Sequence, residues 1–259
     1  MEYTGLSQKD TQMLEELILK YGNVLDYEDV ASIFKNYYSD EGSIRNRVSV
    51  LQKAGWFKRI KKGVYFINEN LGTRGQLVES VLVISSILES NAYISLSHAL
   101  NYHQMYDQYS TKVTAIGKER GKSYKVGLYS FKFVKVEEEM YFGFSDTLVD
   151  GRLVKIADAE KALIDFLYLD KSFISANLVF EKLTLYKESF LDCSKLTTYV
   201  LKCGVTVRRK MGFLMESAGL NTLDIVKSLE GNRTAVKFYS DCKEFNSKWR
   251  VYYDSRIIK

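Results

Sequence analysis

Apolar side chains recur at helical spacing three times in the first 53 residues, and then the spacing changes. In "LSQKDTQMLEELILKYG", Leu14, Leu17, Ile18 and Tyr21 follow the helical period of about 3.6 residues. Ser7 and Asp10 form a capping-box pattern at its start, and Gly22 suits its end. In "DYEDVASIFKN", Asp26 and Asp29 repeat that pattern, and Val30, Ile33 and Phe34 make the apolar stripe. A third helix is expected to run to about Lys53, capped by Ser43 or Asp40, with Ile44, Val48 and Leu51 on one face. Asn46, Ser49 and Lys53 then lie on the opposite face, with Arg45 and Arg47 on the flanks and Val50 half outward. Gly55 ends the helix, and "WFKRI" and "VYFI" read as two strands joined at "KKG", where Gly63 supplies the positive φ of a tight turn.

Three helices followed by a basic hairpin is the element order of a winged helix-turn-helix, so residues 1–67 are expected to form one. Residues 68–76 read as a linker, and residues 77–259 as a second domain. In the latter, "QLVESVLVISSILES" and "SLSHALNYHQM" read as helices. "KVTAI", "GLYSFKFVKV", "MYFGFS" and "RLVKIA" read as strands, and "DAEKALIDFLYLD" returns to helix. The chain is mainly helical from Ser172, with possible strands in "TAVKFYS" and "WRVYYD". The expected class is α+β: an N-terminal winged helix-turn-helix, then a larger mixed α/β domain with a mainly antiparallel sheet and a helical C-terminal part.

Composition changes this picture little, but charge distribution does. The chain has 259 residues, 46% hydrophobic and 27% charged, with a formal net charge of +5. That excess is not spread evenly. Residues 1–34 hold seven acids and two bases, whereas residues 35–67 hold eight bases and two acids. Phosphate contacts require Lys and Arg, and base reading requires outward donors and acceptors on one helix. Arg45, Asn46, Arg47, Ser49 and Lys53 are therefore the expected DNA-facing residues of the third helix, and Lys58, Arg59, Lys61 and Lys62 those of the wing. A second basic surface is expected from Lys118, Arg120 and Lys122, within a stretch that also includes Lys125, Lys132 and Lys135, and from Arg208, Arg209 and Lys210.

Other chemistry is weakly signalled. His98 and His103 lie roughly 140° apart on a helix, poor for shared metal ligation. Cys193, Cys203 and Cys242 form neither an even set nor a Cys-x-x-Cys pair, so reduced thiols are expected. "GKERGK" lacks the order of a phosphate-binding loop. Asp158, Glu160 and Asp165 invite a metal-dependent nuclease reading, but their spacings to Lys161 are those of intrahelical ion pairs. No enzyme activity, cofactor or metal is expected. The longest apolar-leaning run, "VLVISSIL", is too short to span a bilayer, so a cytoplasmic protein without membrane contact is expected. The chain has no proline.

The order of these features resembles the AbiEi-type antitoxins, an abortive-infection family also described as predicted transcriptional regulators of viral defence systems. "SIRNRVSVLQKAGWFKRIKKGVYFI" looks like that family's winged-helix end, and "AYISLSHALNYHQM" like its Tyr-Ile-Ser helix. "KIADAEKALIDFLYL" looks like its Glu-Lys-Ala-Leu segment, and "RRKMGFLMESAG" like its later Arg-x-Gly segment. The family's Thr-Pro before Glu-Lys is Asp158-Ala159 here. The resemblance implies an antitoxin that represses its own operon by binding double-stranded DNA at promoter inverted repeats. It also implies a nucleotidyltransferase-like toxin, neutralised without a required stable complex. A stand-alone winged-helix regulator without a toxin is the alternative reading.

Overall fold

The computed structural model describes residues 6–68 and 80–259. It is a mixed α+β chain that divides into two compact units, residues 1–84 with 124–130 and residues 85–123 with 131–259. The expected linker at 68–76 lies outside the described residues except for Asn68, which is buried and donates its N–H to the Trp56 carbonyl at 2.9 Å.

The first unit opens with helix α1 (Gln8–Tyr21), strand β1 (Val24–Asp26) and helix α2 (Tyr27–Phe34). Both capping boxes form as the sequence predicts. The Asp10 N–H donates to Ser7 Oγ at 3.2 Å, and the Asp29 N–H to Asp26 Oδ1 at 2.8 Å. Helix α3 (Glu41–Lys53) follows, capped by Asp40 rather than Ser43. The Asp40 carboxylate accepts from the Ser43 N–H at 2.8 Å, so Ser43 already belongs to the first turn. Strands β2 (Phe57–Lys61) and β3 (Val64–Ile67) form the hairpin, and Gly63 has φ +75°.

Strand β1 was not foreseen. It pairs with β3 to give a three-stranded sheet in the order β1-β3-β2, with Val24 opposite Phe66. The Tyr27 N–H also bonds to the Gly63 carbonyl at 2.8 Å, which ties the hairpin turn to the start of α2. One apolar cluster joins all these elements: Met13, Leu17, Leu25, Val30, Phe34, Ile44, Val48, Leu51, Trp56, Phe57 and Ile67 are buried together. Burial of side chains of this size contributes about 1.5–3 kcal/mol each before conformational entropy is counted.

A six-stranded sheet follows along the chain, in the order β6-β7-β5-β4-β9-β8. The strands are β4 (Tyr93–Ile94), β5 (Lys112–Gly117), β6 (Lys122–Val126), β7 (Tyr129–Lys135), β8 (Phe144–Val149) and β9 (Arg152–Ala157). The sheet is mixed: β4 pairs antiparallel with β5 but parallel with β9. The strand expected at "MYFGFS" starts later. Residues Glu138–Met140 make a 3-10 turn, and Gly143 has φ +72° just before β8.

Helices α4 (Val81–Leu88) and α5 (Leu96–Tyr102) precede most of the sheet. Helices α6 (Ala159–Leu169), α7 (Phe173–Tyr186), α8 (Cys193–Lys202), α9 (Val205–Ser217) and α10 (Leu223–Lys227) follow it. A last small sheet has the order β10-β12-β11, from β10 (Val236–Lys237), β11 (Glu244–Asn246) and β12 (Val251–Tyr253). Helix α6 is central, touching α5, α7, α8 and α9, and every residue from Ala159 to Asp165 is buried. Among the described residues, no helix is long and apolar enough to cross a membrane.

Candidate nucleic-acid interface

Helix α3 buries Ile44, Val48 and Leu51 and turns its other side outward, because residues four and seven apart share a face. Arg45, Asn46 and Lys53 are exposed on that side, and Ser49 is half-buried. Arg45 donates to Glu41 Oε1 at 2.9 Å, four residues back. Both side chains are exposed, so this pair is weak and open to exchange with a phosphate. Val50, 40% exposed, gives the same surface one apolar point.

The hairpin adds further bases. Arg59 and Lys62 are exposed, and Lys58 and Lys61 are half-buried. The Arg59 Nε donates to the Lys61 carbonyl at 3.4 Å, across a register shift between those two residues. That irregularity is local and leaves Ile60 buried between two basic neighbours.

Arg47 does not belong to this surface. Its Nε donates to Asp10 Oδ1 at 2.6 Å and its Nη2 to Asp10 Oδ2. The Asp10 side chain is 1% exposed and that of Arg47 27%. The helical wheel placed Arg47 on a flank; the neighbouring helix α1 covers that flank and supplies a buried carboxylate. Arg47 ties α3 to α1 and is only partly open to solvent.

The expected second basic surface is largely neutralised. Lys118 pairs with Glu138, and Lys122 with Glu89 at 2.8 Å and Glu119 at 3.6 Å. Arg120 is exposed but borders a small hollow that also contains Glu89 and Glu119. Lys125 on β6 and Lys132 and Lys135 on β7 remain exposed. The group Arg208, Arg209 and Lys210 is not a surface. Arg208 is half-buried and donates from Nε to the Cys203 carbonyl at 2.7 Å. Arg209 is buried, with Nη1 on the Trp249 carbonyl at 2.9 Å and Nη2 on the Asn232 carbonyl at 2.6 Å. Lys210 is also buried and reaches the Phe238 carbonyl at 3.2 Å. Segments from the C-terminal part wrap this helix and offer carbonyls to its bases, a relationship no local pattern encodes.

The three carboxylates of the nuclease reading do not converge on an open site. Asp158 accepts from the Tyr199 hydroxyl at 2.6 Å and pairs with Lys195 at 2.9 Å. Glu160 accepts from the Asp192 N–H at 2.9 Å. Asp165 is fully enclosed, bonded by Ser95 Oγ at 2.7 Å, Tyr93 Oη at 3.2 Å and the Lys161 ammonium. Burial drives the Asp165 carboxyl upward, against the opposing pull of Lys161. Among the described residues, no group of three or more potential metal ligands occurs. His103 Nε2 lies 2.8 Å from the Ala157 carbonyl, and burial lowers the His98 imidazole. The three cysteines are free thiols, and burial pushes Cys203 up to about 12.

No protein-family model and no curated protein matches this chain. The fold is similar to the crystal structure of the RV2827C protein from Mycobacterium tuberculosis. The two share 11% identity at a TM-score of 0.68, over 95% of this chain and 92% of that one. At that identity the likeness is one of fold alone.

Proposed function

We propose that the first unit is a winged helix-turn-helix that binds double-stranded DNA, and that the chain is a non-enzymatic antitoxin and autorepressor. One observation carries the DNA-binding part: the separation of charge within the unit. The acids Asp10, Asp26 and Asp29 are consumed by helix caps and by Arg47. The exposed bases and amide, Arg45, Asn46, Lys53, Arg59 and Lys62, lie on α3 and the hairpin. In this reading α3 enters the major groove, Asn46 and Arg45 read base edges, and the hairpin bases hold phosphates. The antitoxin part rests on the resemblance of four stretches to the AbiEi type. The partner it implies is a nucleotidyltransferase-like toxin.

The test is fluorescence anisotropy of the full chain on its own upstream DNA and on a scrambled duplex, over a series of salt concentrations. Each phosphate contact contributes about 0.9 to the slope of log affinity against log salt. The double substitution Lys61→Ala and Lys62→Ala is expected to weaken binding to both duplexes and to flatten the slope by up to about 2. Unchanged affinity and slope would remove the hairpin from the interface. Co-expression with an adjacent nucleotidyltransferase, scored for growth rescue, tests the antitoxin part separately.

A further inference from the structure

The small C-terminal sheet turns one face to helix α9 and the other to solvent. On the inner face Val236 and Val251 are buried, and the Tyr253 ring lies 4.7 Å from that of Phe213 on α9. Side chains alternate between faces along a strand, and residues directly opposite on neighbouring strands share a face. Lys237 is opposite Tyr252, and Tyr252 is opposite Phe245, so these three make one row across the outer face. Phe245 is 44% exposed, Lys237 is exposed and Tyr252 is half-buried. The Phe245 and Tyr252 rings lie 4.8 Å apart between centroids and are tilted by 46°, so they are neighbours without being stacked flat on each other. The inner face already supplies this sheet with its packing, and an aromatic pair on the outer face adds ring surface that water touches.

The surroundings of the row are basic. Residues 233–250 hold five bases and two acids. Lys248 is neutralised by Glu216, and Arg250 donates from Nε to the Arg233 carbonyl at 2.8 Å. Arg233, Lys237 and Lys243 are exposed and form no ion pair among the described residues. Both acids are engaged elsewhere. Glu244, one residue before Phe245, alternates to the other face and accepts from the Ser255 N–H at 3.0 Å, and Asp241 accepts from Ser240 Oγ at 2.9 Å. Lys237 Nζ rests over the Tyr252 ring, 5.1 Å from its centroid. A cation–π contact at an exposed site is weak, so Lys237 can move to a phosphate when a base takes that ring.

Rings and charge together narrow the occupant. A second copy of the chain, docked by the same face, would bring these free bases against their own kind. An acidic peptide would satisfy the lysines and leave the rings unmatched. A duplex keeps its bases stacked inside and offers the rings nothing. Unpaired bases joined by phosphates match both features at once. The Tyr252 hydroxyl carries no hydrogen bond among the described residues. Beside a stacked nucleotide it would meet a ribose 2′-hydroxyl, which both donates and accepts and which deoxyribose lacks. We propose that the outer face of this sheet binds single-stranded RNA, with bases stacked on Phe245 and Tyr252 and phosphates held by Lys237 and Lys243. The surface lies wholly within the second unit and is independent of the DNA-binding reading of α3 and its hairpin.

The experiment is fluorescence anisotropy of the full chain with a labelled uridine octamer and its deoxyuridine counterpart, over a series of salt concentrations. The RNA is expected to bind saturably and about fivefold more tightly than the DNA, the worth of one hydrogen bond. Phe245→Leu keeps an apolar side chain but removes the ring, and should weaken the RNA about tenfold, while Phe245→Trp binds it as wild type does. Lys237→Gln should reduce the slope of log affinity against log salt by about 0.7. Tyr252→Phe should bring the RNA down to the affinity of the DNA, and Lys61→Ala/Lys62→Ala should leave it unchanged. Circular dichroism confirms that each variant is folded. Lys237→Gln, at an exposed position, keeps the test decisive if Phe245→Leu does not fold. The proposal fails if the RNA does not saturate, or if Phe245→Leu and Lys237→Gln bind it as wild type does. It fails also if the deoxyuridine strand binds equally well, or if polyglutamate binds more tightly than the RNA.

Discussion

Arg47 on α3 and Asp10 on α1 are joined by two parallel hydrogen bonds, Nε to Oδ1 at 2.6 Å and Nη2 to Oδ2. The same carboxylate also accepts from the Ser7 N–H at 3.1 Å, so one buried acid serves both the α1 cap and the α1–α3 contact. Removing one member of a buried pair costs about 3–5 kcal/mol. Arg47 is partly open to solvent, so Arg47→Ala should cost nearer 2–3 kcal/mol by urea unfolding once screening is allowed for. Burial alone would raise the Asp10 carboxyl, but the bonds from Arg47 and Ser7 outweigh it and hold it below its usual range. A depressed carboxylate stabilises the fold above its unfolded pKa, near 4, and that contribution is lost as pH falls through the folded value. The wild type should therefore lose stability in acid below about pH 4 more steeply than Arg47→Ala.

Asp165 and Lys161 form a second buried pair, with both side chains 0% exposed. Tyr93 completes a closed circuit, accepting from Lys161 Nζ at 2.9 Å and donating to Asp165 Oδ2 at 3.2 Å. Asp165→Leu leaves the enclosed Lys161 ammonium with the Tyr93 hydroxyl but without a counter-ion, and should cost about 3–5 kcal/mol. The double change Lys161→Met with Asp165→Leu removes both charges, and should recover most of that loss. A double-mutant cycle by chemical unfolding measures the coupling. Similar losses for the single and the double variant would mean that shape, not charge, holds α6 in place.

Lys210 gives the opposite pH signature to Asp10. Burial, with Lys171 nearby, lowers its ammonium to about 8 from a usual 10.5. Below pH 8 the folded chain carries the cost of a buried charge. Between pH 8 and 10.5 the folded form has released the proton while the unfolded chain still holds it, so stability rises with pH. Relative to Lys210→Met, the wild type should gain about 2 kcal/mol across that window, after allowance for screening. Urea unfolding of both proteins from pH 7 to 10 measures the difference, in which the common tyrosine and cysteine titrations cancel.

What the sequence made legible was local. Ser7 with Asp10 and Asp26 with Asp29 lie three residues apart, so their capping boxes could be read directly and both form. Gly63 marked the hairpin for the same reason, since a positive φ at a two-strand junction is a property of one residue. What stayed hidden depended on distant partners. The three residues of β1 are too few to show a period, and become a strand only because β3 lies beside them. Arg47 had the right azimuth for a groove but a partner 37 residues away. Arg209 and Lys210 read as surface bases because composition cannot show that carbonyls of Trp249, Asn232 and Phe238 enclose them. One local clue was present: the bases run straight into "MGFLM", an apolar stretch with a glycine in mid-helix.

That glycine is explained by Trp249. A Cβ built on Gly212 would lie 2.0 Å from Trp249 Cζ3 and 2.3 Å from Cη2, well inside van der Waals contact. Trp249 cannot easily yield. It is 1% exposed, and its indole N–H donates to Glu216 Oε2 at 2.8 Å, one turn along the same helix. Its carbonyl also receives Arg209 at 2.9 Å, so moving it disturbs a buried guanidinium as well. In an open helix, Gly→Ala would stabilise by about 1 kcal/mol. Here overpacking, typically about 1–3 kcal/mol and more where the neighbour is pinned, should reverse that sign. Gly212→Ala is expected to lower the Tm, and Trp249→Leu in the same chain should make the alanine neutral or favourable. If Gly212→Ala alone raises the Tm, the indole does not pack on the α9 backbone, and the enclosure of Arg209 by the C-terminal segment goes with it.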